Sequence, residues 1–148
     1  MDVNNAFLYG YLGEEIFMRH PEGYDVPDGH VCRLKRSLYG LKQASGQWNS
    51  ELTTQLTIFG FIQSKHDYRL FTMRSDHGFL LLLVYVDDIL IAGTSSDLIS
   101  EVKGYLDHLF TVKDFGVAKY FLGLEIARSA QGLVVTQSKY IRLFAMLE

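Results

Sequence analysis

The 148-residue chain has one cysteine, two prolines and no excess of basic residues. A lone cysteine, Cys32, excludes an internal disulfide framework and fits a reducing compartment. The five histidines show neither HExxH spacing nor nearby cysteine pairs, which argues against a structural zinc site. No apolar segment reaches membrane-spanning length, because Asp87 and Asp88 interrupt the longest one. The N-terminus lacks the basic and apolar regions of a secretory signal.

The chain has a net charge of −3 and an isoelectric point near 5.9. It therefore lacks the overall excess of basic residues expected of a nucleic-acid-binding domain. Locally, Arg33, Lys35, Arg36 and Lys42 cluster within ten residues. A solvated strand edge explains this cluster slightly better than a nucleic-acid contact does. Composition therefore leaves the class of partner open.

The most informative segment is FLLLLVYVDDILIAG, from Phe79 to Gly93. Two apolar runs flank Asp87 and Asp88, which predicts two strands with the aspartates at a hairpin turn. Asn-Gly or Asp-Gly suits a two-residue turn better than Asp-Asp does, and adjacent carboxylates repel. Mg²⁺ takes such oxygen ligands, although a solvated turn is the more ordinary explanation for one such pair.

Periodicity along the rest of the chain predicts an α+β domain whose antiparallel sheet carries two helices on one face. The first helix runs from about Leu41 to Phe59 and is stopped by Gly60, and the second is capped among Ser95, Ser96 and Asp97. A further helical segment is predicted over 140–147. The predicted strands are 1–7, 16–19, 31–36, 68–73, 79–86, 89–92, 120–127 and 133–136.

Four motifs, in order, carry a resemblance to a known family: MDVNNAFL (1–8), RSLYGLKQA (36–44), YVDD (85–88) and YFLGLEI (120–126). Together they resemble reverse transcriptases of the Ty1/copia type, found in the Pol polyprotein of long-terminal-repeat retrotransposons, including those of plants. The resemblance covers essentially the whole chain. It implies a polymerase palm with a partial fingers segment, so that residues 1–148 form a single reverse transcriptase domain, truncated at both ends.

The resemblance implies RNA-directed DNA polymerase activity, in which two Mg²⁺ ions, replaceable by Mn²⁺, transfer a nucleotide to a primer 3′-hydroxyl. By this resemblance, Asp2 and Asp87 bridge the ions, Asp88 lies alongside, and the Val3 carbonyl is an accessory ligand. Strands bearing Asp2 and Asp87 must be neighbours if one ion is to bind both residues.

The same resemblance assigns further site residues. Phe7 would meet the sugar of the incoming nucleotide and exclude a 2′-hydroxyl, although a core phenylalanine is the commoner role for such a residue. The remaining assignments are nucleotide contacts at Tyr39, Gly40 and Lys42, a primer grip at Leu122 and Gly123, and a general acid at Lys113 or Lys119.

The implied partners are an RNA or DNA template, a DNA primer, a deoxynucleoside triphosphate and the other polyprotein domains (fingers, thumb, ribonuclease H and integrase), with no membrane. The expected location is intracellular, in a cytoplasmic virus-like particle or the nucleus. Ser45 and Gly46 replace the Pro-Arg common in relatives, and Arg69 replaces a small residue. The alternative is therefore a non-catalytic retrotransposon remnant with weak or no nucleic-acid binding. An RRM-type module ranks last, because its aromatic signature strand is missing.

Overall fold

The computed structural model describes residues 1–25, 27–138 and 141. These residues form short strands, two α-helices and a 3-10 helix, Ala6–Tyr9. The helices are α1 (Ala44–Phe59) and α2 (Ser96–Leu109). The strands are β1 (Asp2–Val3), β2 (Tyr11–Met18), β3 (Cys32–Arg36), β4 (Ile62–Gln63), β5 (Leu70–Ser75), β6 (Gly78–Tyr85), β7 (Asp88–Gly93), β8 (Val112–Lys113), β9 (Tyr120–Phe121), β10 (Leu124–Ser129) and β11 (Gly132–Thr136).

The largest sheet is antiparallel and has six strands in the order β4-β5-β6-β7-β1-β8. Strand β6 shows why the sheet has two unlike faces, since its side chains alternate. Leu80, Leu82 and Val84 are buried, whereas Leu81 and Leu83 are only half-buried on the opposite face. Two smaller antiparallel sheets, β2-β3 and β11-β10-β9, accompany it.

Both helices pack on the buried face, and their apolar residues join one core with those of β6. Helix α1 contributes Trp48, Leu52 and Leu56, and α2 contributes Val102 and Leu106. The helices also touch one another through the hydroxyl of Tyr105, which donates to the backbone oxygen of Gln55 at 3.1 Å. The predicted α+β class, with a mainly antiparallel sheet and two helices on one face, is confirmed.

The predicted helix ends are largely confirmed. Gly60 takes a left-handed conformation (φ 116°) and its N–H bonds to the oxygens of Leu56 and Thr57, which ends α1. Ser95 is the cap of α2, because its hydroxyl accepts a hydrogen bond from the N–H of Leu98. Helix α1 begins at Ala44 rather than near Leu41, since residues 42–43 form a turn. No helix of the described ranges is long and apolar enough to cross a membrane.

Several strand boundaries were predicted wrongly. The first strand ends at Val3, because Asn5 has φ 53° and directs the chain into the 3-10 helix. The predicted strand 120–127 is broken at Leu122 and Gly123, whose φ angles of 50° and 80° form a turn between β9 and β10. Strand β2 starts earlier than predicted, at Tyr11. The short strands β4 and β8 were missed. Apart from Ile141, the predicted helical segment 140–147 lies outside the described residues.

Candidate active site

The hairpin of β6 and β7 places the aspartate pair at one end of the large sheet. Tyr85 pairs with Asp88, so the two-residue turn consists of Val86 and Asp87, and Asp88 is the first residue of β7. The predicted turn at Asp87–Asp88 was therefore wrong by one position. The reason is the register of the hairpin. Val84 and Ile89 are both buried and pair directly across it, so Tyr85 pairs with Asp88 and the turn falls one residue nearer the N-terminus than predicted.

Two hydrogen bonds hold this turn. The indole Nε1 of Trp48, a side chain only 2% exposed, donates to the backbone oxygen of Val86 at 2.6 Å. The N–H of Val3 donates to the backbone oxygen of Asp87 at 2.9 Å. Val86 itself has φ 57°, which is strongly disfavoured for a β-branched residue. The hydrogen bonds from Trp48 of the core and from Val3 of strand β1 sustain this conformation.

Strand β1 lies between β7 and β8 and carries the third aspartate to the same place. The Met1 amino group and its carbonyl oxygen form hydrogen bonds with Ile89, each at 2.9 Å. As a result Asp2 lies directly opposite Asp88 on one side and Lys113 on the other. Residues directly opposite one another share a face of an antiparallel sheet, so Asp2, Asp88 and Lys113 lie on the same face. Ile89, next to Asp88, is buried toward the helices, so this is the face away from the helices, called the outer face below.

The carboxylates act on one another electrostatically. Partial burial raises the pKa of Asp88, and the negative charges of Asp87 and Asp2 raise it further, against a smaller opposite effect of the N-terminal amine. Burial and the charges of Asp87 and Asp2 likewise raise the pKa of the Tyr39 hydroxyl. The three carboxylates therefore concentrate negative charge at the end of β1 and the β6-β7 turn, which a bound cation would relieve.

Among the described residues, no group of three or more His, Cys, Asp or Glu side chains is placed to hold a metal ion. This arrangement still fits Mg²⁺, which usually binds through one or two carboxylates together with substrate phosphates and water. Asp2, opposite Asp88 and near Asp87, provides hard oxygen donors of that kind. The donor set suits a cation shared with a phosphorylated substrate.

Phe7 and Tyr39, two predicted nucleotide contacts, lie together. Their ring centroids are 4.4 Å apart at an interplanar angle of 41°. Tyr39 is 54% exposed, and Gly40 after it has φ 95°, a conformation that favours glycine. Lys42 is exposed in the turn before α1.

Part of the predicted primer grip lines a cleft together with one of the three aspartates, Asp88. This cleft of about 750 Å³ is lined by Asp88 and Leu90 of β7 and by Lys119 and Leu122 of the facing segment, among others. Gly123 forms the turn with Leu122 but is not among the lining residues. The two candidate general acids differ in position: Lys119 lines the cleft, whereas Lys113 is in register with Asp2, with its Nζ 5.2 Å from the centroid of the Phe115 ring.

Sequence reasoning missed two residues that support the site. Trp48 lies within the predicted first helix and was given no role beyond it, although a single tryptophan could have prompted a search for a partner of its N–H. Gly10 was not singled out. A Cβ at this position would lie 2.8 Å from both the Cβ of Gln47 and the N of Trp48, so the chain after the 3-10 helix runs directly against α1.

Comparison with known proteins identifies the family. The family model for "Reverse transcriptase (RNA-dependent DNA polymerase)" matches residues 1–145. The chain belongs to the reverse transcriptase family. It is 44% identical over 143 residues to the retrovirus-related Pol polyprotein from transposon RE2 of Arabidopsis thaliana, which covers 95% of this chain. It is 41% identical over 146 residues to the polyprotein from transposon TNT 1-94 of Nicotiana tabacum, again covering 95%.

These relatives confirm the resemblance to Ty1/copia-type Pol polyproteins. This reverse transcriptase segment spans 10% of the RE2 polyprotein and 11% of the TNT 1-94 polyprotein, so it corresponds to about a tenth of each. No solved structure matches it.

Proposed function

We propose that this chain supplies the palm of an RNA-directed DNA polymerase that extends a DNA primer within a retrotransposon Pol polyprotein. The observation that carries the proposal is the position of β1. By lying between β7 and β8, it sets Asp2 opposite Asp88 and beside the turn that holds Asp87. Family membership provides the reaction class, and this geometry provides a place for it.

In this proposal Asp2 and Asp87 hold two Mg²⁺ ions, with Asp88 alongside and the Val3 carbonyl as an accessory ligand. The ions, when bound, favour the deprotonated primer 3′-hydroxyl and stabilise the leaving pyrophosphate. The protein's part is to fix its carboxylates before substrate binds. Trp48 and the N–H of Val3 do this by holding the carbonyls of the turn in place.

The other residues arrange the substrates. Phe7, Tyr39, Gly40 and Lys42 would receive the deoxynucleoside triphosphate, and Leu122 and Gly123 would press on the primer end across the cleft. Of the two lysines, Lys113 is favoured as the donor of a proton to pyrophosphate. Lys113 shares the outer face with Asp2, so its flexible side chain would bring the amine within reach of a triphosphate bound to the ions.

The first test measures cation binding by the chain itself. Thermal unfolding is recorded with and without Mg²⁺, for the parent and for Asp87→Asn. Ligand at ten times its Kd stabilises a folded protein by about 1.4 kcal/mol, so the parent should melt several degrees higher with Mg²⁺ and Asp87→Asn should respond far less. Asp76→Asn, in the exposed turn at the other end of β6, is the control and should respond like the parent.

The second test measures the reaction. The 148 residues replace the matching segment of a complete Ty1/copia-type reverse transcriptase, and extension of a DNA primer on an RNA template is followed. The parent graft should synthesise DNA, and Asp87→Asn should abolish synthesis while Asp76→Asn retains it. An inactive graft that also lacks a Mg²⁺ response would favour the non-catalytic remnant. Undiminished synthesis by Asp87→Asn would contradict the assigned site.

A further inference from the structure

The packed rings of Phe7 and Tyr39 form a two-layer arrangement. Phe7 is partly buried against the hydrophobic core, whereas Tyr39 is 54% exposed. With centroids only 4.4 Å apart, the Tyr39 ring packs directly against the Phe7 ring. Aromatic pairs at this separation attract one another beyond the effect of buried area alone. Removing the outer ring would therefore leave the inner one free to change rotamer.

Both rings are carried by segments that meet at Gly10. The N–H of Gly10 donates to the carbonyl of Phe7 at 3.2 Å, which closes the 3-10 helix. The carbonyl of Gly10 accepts a hydrogen bond from the N–H of Ser37 at 2.9 Å, two residues before Tyr39. The backbones under the two rings are thus tied together, and the ring contact is a fixed feature of the fold.

The pair lies beside the carboxylates. Phe7 follows Asp2 by five residues, in the 3-10 helix that comes after β1. Burial raises the pKa of the Tyr39 hydroxyl, and the negative charges of Asp87 and Asp2 raise it further. A nucleotide whose phosphates share cations with these aspartates would bring its sugar near the two rings. A ring can reject a 2′-hydroxyl by contact only if it does not yield, and such contacts require positions held to about 0.5 Å.

We propose that Tyr39 is a specificity-determining residue that acts through Phe7, bracing the ring that excludes ribonucleotides. This inference depends on the function proposed above, in which Phe7 faces the sugar. It assigns the selective effect to the Tyr39 ring and not to its hydroxyl. The inference differs from a general role of Tyr39 in stacking on the nucleotide, because loss of stacking would affect deoxynucleotides and ribonucleotides equally.

The test uses the grafted polymerase and measures kcat/KM for a deoxynucleotide and for the matching ribonucleotide. Tyr39→Leu should lower the discrimination ratio by about three- to ten-fold, the size expected from one aromatic contact. Tyr39→Phe should keep the parent ratio. The double variant Phe7→Leu/Tyr39→Leu should discriminate no worse than Phe7→Leu alone. Tyr68→Leu, an exposed tyrosine just before β5, is the control and should change nothing.

Three results would overturn the inference in an active graft: an unchanged ratio in Tyr39→Leu, an equal loss for both nucleotides, or a double variant whose loss is the product of the single losses. An inactive parent graft would instead count against the proposed function. In that event the 148-residue chain still provides a decision, through thermal unfolding of Phe7→Leu, Tyr39→Leu and the double variant. If the double variant lowers the melting temperature by less than the two single variants added together, the brace is supported. If the effects of the single variants simply add, the brace is refuted.

Discussion

Asp88 is a carboxylate placed among like charges. It is partly buried, lies directly opposite Asp2 and follows Asp87 in the chain. Like charges directly opposite on neighbouring strands destabilise a sheet. In the function proposed above, a bound cation would offset this repulsion.

The charge repulsion at Asp88 predicts that Asp88→Asn stabilises the metal-free chain. At pH 7 the free energy of unfolding should rise by about 0.2–1 kcal/mol, the usual range for a cross-strand pair. The pKa of Asp88 is higher in the folded chain than in the unfolded chain, where it is about 3.9. The carboxylate therefore costs no stability at a pH below the unfolded pKa, and this cost grows as pH rises until it passes the folded pKa. The gain should therefore shrink between pH 7 and pH 4.

Urea denaturation in the presence of a chelator, at both pH values, measures this difference. Asp76→Asn, which lies in the exposed turn between β5 and β6, serves as the matched control and should show no comparable gain. A loss of stability in Asp88→Asn at pH 7 would mean that the carboxylate makes favourable contacts and that the repulsion does not dominate.

Trp48 connects the core to the turn of Val86 and Asp87 through one hydrogen bond. We predict that Trp48→Phe lowers the free energy of unfolding by about 1–3 kcal/mol, because the Val86 oxygen loses its donor while an aromatic ring remains. The same variant should weaken the Mg²⁺-dependent rise in melting temperature. Phe61→Leu, equally buried but located after α1 and before β4, should lower stability without changing the Mg²⁺ response.

Equal Mg²⁺ responses in Trp48→Phe and the parent would show that the turn keeps its geometry without the indole. In that case the strained φ of Val86 would be maintained by strand pairing alone, through the bond between Val3 and Asp87.

At the scale of elements, α1 is seated by a close backbone contact with the segment after the 3-10 helix. Gly10 is buried, and its φ of −72° is open to any residue, so steric space alone demands glycine. A Cβ there would lie 2.8 Å from the backbone nitrogen of Trp48 and 2.9 Å from the carbonyl carbon of Gln47. Neither backbone atom can rotate away, so the helix itself would have to shift.

Gly10→Ala should therefore destabilise the chain by about 1–3 kcal/mol, the cost of forcing extra volume into a packed interior. Gly13→Ala is the matched control, because a Cβ at Gly13 meets nothing within 4 Å. Thermal and urea unfolding of the two variants should separate them clearly. Similar losses would indicate that glycine flexibility in this segment matters more than the contact with α1.

At the scale of the molecule, charge sets the limits of the isolated chain. A polyanionic template and primer are held mainly by Lys and Arg contacts, and this chain has a net charge of −3. It also spans only about a tenth of the polyproteins that it resembles. A displacement of about 1 Å at a reacting centre can cost on the order of a hundredfold in rate.

We therefore predict that the 148-residue chain alone extends a primed RNA template poorly or not at all, whereas the same residues within a complete polymerase support synthesis. The measurement is primer extension with Mg²⁺ at equal molar concentrations of chain and graft. Robust extension by the chain alone, lost in Asp87→Asn, would contradict this prediction while supporting the assigned aspartates.

Much of the architecture was readable from local patterns. The spacing of Trp48, Leu52 and Leu56 predicted α1, and the apolar runs around Asp87 predicted the β6-β7 hairpin, because burial of one face imposes its period on the sequence. Boundaries failed where a single backbone angle decided them. Nothing in the run from Tyr120 to Ala127 except Gly123 indicated that Leu122 would adopt a positive φ and break the strand.

The sequence by itself determined both helices, the longer strands, the motifs and the family, because periodicity and motif order are properties of the chain. Tertiary structure alone decided which strands became neighbours. Asp2 and Asp88 are 86 residues apart, and they face each other only because β1 inserts between β7 and β8. The bond from Trp48 to the Val86 carbonyl and the packing of Tyr39 on Phe7 depend on the same long-range closure. Such contacts are fixed by the joint burial of distant segments, which no local window of sequence contains.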